Sequence, residues 1–279
     1  MNRKPIRVSL LPADVEGIVF WTKNFRPFLK HLDAVRSQGT PFYVQYTING
    51  YPRSLENNVV DWRKSVEAVR TLASEFGPRM VVWRYDTILF SSQTPPEFHL
   101  RNFAEIASSL EGLVDEAVIS FMQLYRKTER NLNQMSEAHG NPWHDPSIEA
   151  KRELGAELYR IGQTRGIELT VCSQPDLITV QPPARCIAAR RLSDVAGRAI
   201  HAKTLGNRPG CECAASRDIG DYDTCPHGCV YCYAVRSQTL ALDRFRTHSP
   251  ESPFLFSSSD DPNFDEGPSQ LQGRLDLGI

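Results

Sequence analysis

The sequence predicts an α/β fold built as a (β/α) barrel of the TIM type, with a cysteine-rich metal-binding segment at its C-terminal end. Three observations carry that expectation. Over the first 180 residues, short β-branched and aromatic runs alternate with capped amphipathic stretches, the rhythm of a parallel sheet with crossover helices. Polar side chains recur where the strands end, which is where barrels place their reactive groups. The rhythm then breaks, and five of the seven cysteines fall within the 22 residues from Cys211 to Cys232.

Taken in order, Gly17 to Trp21 reads as a strand, followed by a helix carrying Phe28, Leu29, Leu32 and Val35 that stops at Gly39-Thr40-Pro41. Phe42 to Thr47 is the next strand. Trp62, Val66, Val69, Ala73 and Phe76 recur at helical spacing up to the stop at Gly77-Pro78. Met80 to Tyr85 is a third strand, and Thr94-Pro95-Pro96-Glu97 opens a helix to about Leu110 with the spacing of a capping box. Ala117 to Phe121 is a fourth strand. Asp145-Pro146 opens a helix that Gly166 ends, and Ile167 to Cys172 completes five strands. The strand ends read Trp21-Thr22-Lys23-Asn24, Gln45-Tyr46-Thr47, Arg84-Tyr85-Asp86, Ser120-Phe121-Met122-Gln123 and Cys172-Ser173-Gln174. Arg84 and Asp86 share a strand face, so they read either as candidate catalytic groups, with Lys23, or as a structural ion pair at the rim.

This divides the chain into a barrel-like domain at 1–180, a cysteine-rich segment at 181–246 that docks on it, and an acidic Ser- and Pro-rich tail at 247–279 expected to be disordered. The net charge of -1 exerts no global pull on nucleic acid or anionic lipid. No run approaches the roughly 18 apolar residues of a membrane span, and the N-terminus lacks the pattern of a secretion signal. A cytoplasmic protein follows as the expectation, in which clustered cysteines are metal ligands rather than disulfides.

Cys225, Cys229 and Cys232 stand in Cys-x3-Cys-x2-Cys spacing, with Tyr231 and Tyr233 beside the last thiol. Three thiolates so spaced can hold three irons of a 4Fe-4S cluster and leave the fourth open to S-adenosylmethionine. A zinc site drawing on Cys211, Cys213, Cys229 and Cys232 is the alternative, and would make the cysteines structural. A ferredoxin-type electron carrier ranks third, since the spacing fits it less well. His227 lies inside the motif, and His139 and His144 flank a Gly-Asn-Pro turn as loop residues. The run from Tyr125 to Arg130 is either an anion-binding patch with Lys23 and Arg84 or a solvated helix start, and the second is preferred.

Cys211-Glu212-Cys213 running on to Asp221-Tyr222, with Cys225 to Ala234, resembles the bacterial domain of unknown function numbered 1848. Phe20 to Asn24, Trp83 to Asp86 and Tyr125 to Asn131 are similar to other blocks of that family. The resemblance implies a C-terminal counterpart of the cysteine cluster of radical S-adenosylmethionine enzymes. It implies a one-electron donor such as a flavodoxin or ferredoxin, and, from the names of some relatives, chemistry like DNA photoproduct repair. Tyr231 or Tyr233 would pack near the adenine. Two departures stand out. The family's additional first strand, with a Ser-Arg-Arg-Thr-Asp-like motif, is missing here, so a barrel incomplete at its N-terminus is expected. The chain also has no Gly-Gly-Glu methionine-binding motif, and its cysteines follow the strands instead of preceding them.

Overall fold

The computed structural model describes residues 7–249 together with Ser252 and Phe254. Its strands and helices, in chain order, are β1 (Ile18–Thr22), α1 (Leu32–Ser37), β2 (Phe42–Thr47), α2 (Trp62–Phe76), β3 (Val81–Ile88), β4 (Phe90–Ser91), α3 (Pro96–Leu110), β5 (Glu116–Phe121), α4 (Arg126–His139), β6 (Trp143–His144), α5 (Ile148–Gln163), β7 (Glu168–Val171), α6 (Ala189–Ala196) and α7 (Gln238–Thr247). The tail expected from residue 247 lies, beyond its first residues, outside the described residues.

Five strands form one parallel sheet in the order β1-β2-β3-β5-β7, and β4 and β6 pair separately as a two-stranded antiparallel ribbon. Each long strand lies beside its predecessor in the chain. With right-handed crossovers, that order keeps the helices on one face, as in a barrel wall, whereas a doubly wound sheet reverses direction. Strand alternation then sorts the side chains. Tyr46, Trp83, Tyr85, Ile119 and Phe121 face the helices: Trp83 stacks on Phe103 of α3 at 4.5 Å, and a Cβ on Gly155 of α5 would lie 3.9 Å from Ile119. Tyr43, Gln45, Arg84, Asp86 and Ser120 occupy the opposite face. Burial on both sides explains the near-continuous apolar runs of these strands.

The expected TIM-type barrel is not what the described residues form. β1 and β7 each pair with one neighbour, and the sheet stays open. After β7 the chain adds a single parallel bridge, with Val171 N donating to Pro182 O at 3.0 Å and Ala184 N donating to Val171 O at 2.8 Å. It then crosses the face away from the helices. Tyr43 Oη and Gln45 Nε2 donate to Cys186 O at 2.7 and 2.8 Å, and Ala188 N donates to Tyr43 Oη at 2.9 Å. Arg191 of α6 is 4% exposed and reaches Asp115 and Glu116 at the foot of β5. A polar crossing segment thus fills the space where further βα units of a barrel would pack.

Several local expectations change. Pro95, not Thr94, caps α3, because the Thr94 hydroxyl donates instead to Leu89 O at 2.7 Å. Ser147 caps α5, and Asp145 pairs with Lys151. His139 is the last residue of α4 and His144 belongs to β6, so neither is the loop residue expected. Above the strand ends, Tyr51, Leu55, Leu89, Met122, Leu132, Met135 and Tyr231 form a second buried cluster against which Cys229 and Val230 pack.

Candidate active and metal site

Arg84 is 3% exposed at the centre of the sheet. A buried guanidinium needs nearly every donor satisfied, and this one is. Its Nε donates to Asp86 Oδ2 at 3.1 Å and its Nη2 makes a second, short bond to the same oxygen. Nη1 donates to Gln45 Oε1 at 3.3 Å and to Cys186 Sγ at 2.9 Å. The half-exposed Trp21 ring lies 4.6 Å from the guanidinium, a cation-π contact. Burial pushes Asp86 upward, but Arg84, the Ser120 hydroxyl and the Lys23 ammonium together hold it below the usual carboxylate range.

A second charge pair lies beside the first. Lys23, just past β1, donates to Glu56 Oε1 at 2.8 Å, and Glu56 is 3% exposed in the loop between β2 and α2. Burial lowers the Lys23 pKa, and Glu56, Cys229 and Asp86 together more than reverse that. Tyr231 Oη donates to the same Glu56 oxygen in a short bond, and Asn49 Nδ2 donates to it at 3.1 Å. Asn49 joins the two pairs: its Oδ1 accepts from Asp86 N at 2.9 Å and its Nδ2 lies 3.1 Å from Asp86 O. The structure therefore brings together all three candidate catalytic residues, Lys23, Arg84 and Asp86, along with Tyr231.

Backbone bonds fasten the cysteine loop to this network. Val230 N donates to Leu55 O at 3.1 Å, Asn58 N to His227 O at 2.9 Å, and Cys229 forms an antiparallel bridge with Glu56. Gly228 sits in the left-handed region at φ +66°, the conformation that lets the loop turn between Cys225 and Cys229. Asp223 clamps the base, accepting from Arg236 Nε at 2.8 Å and from the backbone of Arg236 and Ser237. Cys225, Cys229 and Cys232 are free and half-buried. Burial pushes Cys229 up to about 12, with Lys23 opposing and Cys232 and Cys225 adding to the rise, so the three thiols feel one another. Burial also raises Cys225, and burial and Lys23 lower His227. The three free thiols thus share one clamped loop, with the Lys23 ammonium acting on Cys229 and Cys225. Among the described residues, no group of three or more His, Cys, Asp or Glu side chains is already gathered as a site for a metal ion.

Cys211 and Cys213 make their contacts elsewhere. Cys213 Sγ accepts from Ile187 N at 3.4 Å, and its neighbours, Cys186 above all, hold its pKa below the usual thiol value. Cys186 Sγ lies 3.6 Å from Cys172 Sγ. Tyr233 is exposed, packs at a tilt near Tyr125 with ring centroids 6.0 Å apart, and accepts at its carbonyl from Lys127 Nζ at 2.9 Å. Arg126 and Arg130 are exposed on the first turns of α4, as a solvated helix start would place them. Glu56, Asn49, Gln45 and Ser120 were not singled out by their side chains. Gln45 and Ser120 stood at strand ends, but Glu56 and Asn49 lie in an aperiodic loop that signals nothing.

Among known proteins, the model of a family described as "Domain of unknown function (DUF1848)" matches residues 1–234. No curated protein matches the chain. No helix among the described residues is long and apolar enough to cross a membrane.

Proposed function

The chain belongs to the DUF1848 family, and from that premise and the site's geometry we propose that it is an iron-sulfur enzyme of the radical S-adenosylmethionine type. Cys225, Cys229 and Cys232 would hold an open-site 4Fe-4S cluster, supplied with single electrons by a flavodoxin- or ferredoxin-class donor. The observation that carries this reading is Tyr231: lodged between two of the thiols in sequence, it hydrogen-bonds Glu56 and so ties the cysteine loop to the sheet end that bears Lys23, Arg84 and Asp86.

When bound, such a cluster would supply the electron that cleaves S-adenosylmethionine to a carbon radical. The chain's own residues do the rest. Lys23 stands between Glu56 and Cys229 and offsets their negative charge. Arg84 and Asp86 present a fixed, internally neutralised dipole on the face away from the helices, suited to orienting a polar substrate without stripping its own charges bare. Trp21 covers the guanidinium and limits water there.

Protein reduced without oxygen should cleave S-adenosylmethionine to methionine and 5′-deoxyadenosine, and Cys229→Ala should lose both its iron and that activity. Iron-loaded protein that leaves S-adenosylmethionine intact would contradict the proposal.

A further inference from the structure

Four cysteines lie outside the Cys225–Cys232 loop, and they converge from three separate stretches of chain. Cys172 directly follows β7, Cys186 lies in the crossing segment, and Cys211 and Cys213 come from the loop that follows α6. Cys186 Sγ lies 3.6 Å from Cys172 Sγ, Ile187 N, one residue on, donates to Cys213 Sγ at 3.4 Å, and a Cβ on Gly210, beside Cys211, would lie 3.7 Å from the backbone of Ser173, beside Cys172. All are free. We propose that Cys172, Cys186, Cys211 and Cys213 form a second metal site, a tetrathiolate site for one zinc-like divalent ion, independent of the cluster assigned to Cys225, Cys229 and Cys232.

Two sets of distances support it. Zinc-thiolate bonds are about 2.3 Å, so the edge of a tetrahedral four-sulfur site is about 3.8 Å. The Cys172–Cys186 separation is 3.6 Å. That spacing suits a single ion, whereas an iron cubane holds its thiolates farther apart. The donors aimed at the sulfurs supply the second argument, because metal thiolates are usually steadied by N–H groups in their surroundings. Arg84 Nη1, the arm that Asp86 does not occupy, lies 2.9 Å from Cys186 Sγ. Arg208 Nη2 lies 3.5 Å from Cys172 Sγ, and Ile187 N lies 3.4 Å from Cys213 Sγ. Four thiolates around one divalent ion leave two negative charges, and the two guanidinium groups are placed to meet them.

The four sulfurs are not gathered as a metal set among the described residues. Binding would therefore turn the Cys211-Glu212-Cys213 loop in toward Cys172 and release the four thiol protons. The ion would bolt the crossing segment to the last strand and hold Arg84 through Cys186. Metal at one site would thereby fix a residue of the other.

The test uses the full chain carrying Cys225→Ser, Cys229→Ser and Cys232→Ser, stripped with a chelator and titrated with Zn2+, and separately with Co2+ as a visible reporter. Uptake of one ion per chain is expected, with the cobalt absorption of a tetrahedral four-sulfur field. Adding Cys211→Ser or Cys213→Ser should remove that spectrum, with circular dichroism confirming that the chain remains folded. No zinc uptake by the triple variant, a cobalt spectrum with fewer than four sulfurs, or an unchanged spectrum after Cys213→Ser would overturn the proposal. Iron and sulfide in the wild-type chain report on the other site, so the two readings fail separately.

Discussion

His99 is held by its neighbours in one protonation state. Tyr85 Oη lies 2.9 Å from Nδ1 and accepts from Asn102 Nδ2, so its proton goes to His99, while Nε2 donates to Leu89 O. Burial, the largest influence, lowers the pKa from 6.5 to about 4. The folded state therefore excludes a proton that the unfolded chain takes up below 6.5. Stability should fall as pH drops from about 6.5 to 4, by about 3 kcal/mol in all, and His99→Gln should flatten that part of a denaturation-midpoint profile. A wild-type profile that is flat across this window would contradict the assignment. Arg84 makes the opposite case, a charge kept because it is paired. Arg84→Met should cost about 3 kcal/mol by leaving the partly buried Asp86 without its guanidinium partner, and adding Asp86→Leu should recover most of it. Chemical denaturation of the single and double variants measures this, and additive losses would show that the two charges are not coupled.

The long strands were legible in the sequence because burial on both faces gives them unbroken apolar runs, and α2 and α3 because their apolar stripes are wide. Of α4 only the start was, since just Thr128, Leu132 and Met135 of its fourteen residues are buried and nearly all the rest is polar. α6 was hidden for another reason: its buried face includes Arg191, whose burial depends on carboxylates 75 and 76 residues earlier in the chain. The same limit applies to the site. The cysteines and the Arg84-Asp86 pair announce themselves by spacing, whereas Glu56 matters only because Tyr231, 175 residues later, folds onto it. The stacked Trp83–Phe103 contact joins α3 to the sheet, so Phe103→Ala should cost about 3–5 kcal/mol in thermal or chemical unfolding. Asp223→Ala, by contrast, should release the loop base. Most of the iron should be lost while the unfolding midpoint of the sheet shifts little, and full iron retention would show that the clamp is dispensable.

Across the whole molecule, the architecture resembles a barrel wall that stops at five strands, with a cysteine-bearing segment crossing the face where further strands would pack. The sequence reading was right about an α/β fold with parallel strands, and the barrel it expected gives way to an open five-stranded sheet. Closure depended on what residues 182–213 do, and their lack of periodicity left that open. The consequence is an active-site candidate roofed by two cysteine-bearing stretches, one clamped to Glu56 and the other to Tyr43 and Gln45. The central claim is that Cys225, Cys229 and Cys232 carry a redox cluster over that site. The most direct measurement is iron and acid-labile sulfide per chain on protein purified without oxygen, in the wild type and in Cys229→Ala. About four of each in the wild type, lost in the variant, is the predicted result; a wild-type chain with zinc and no sulfide would contradict it.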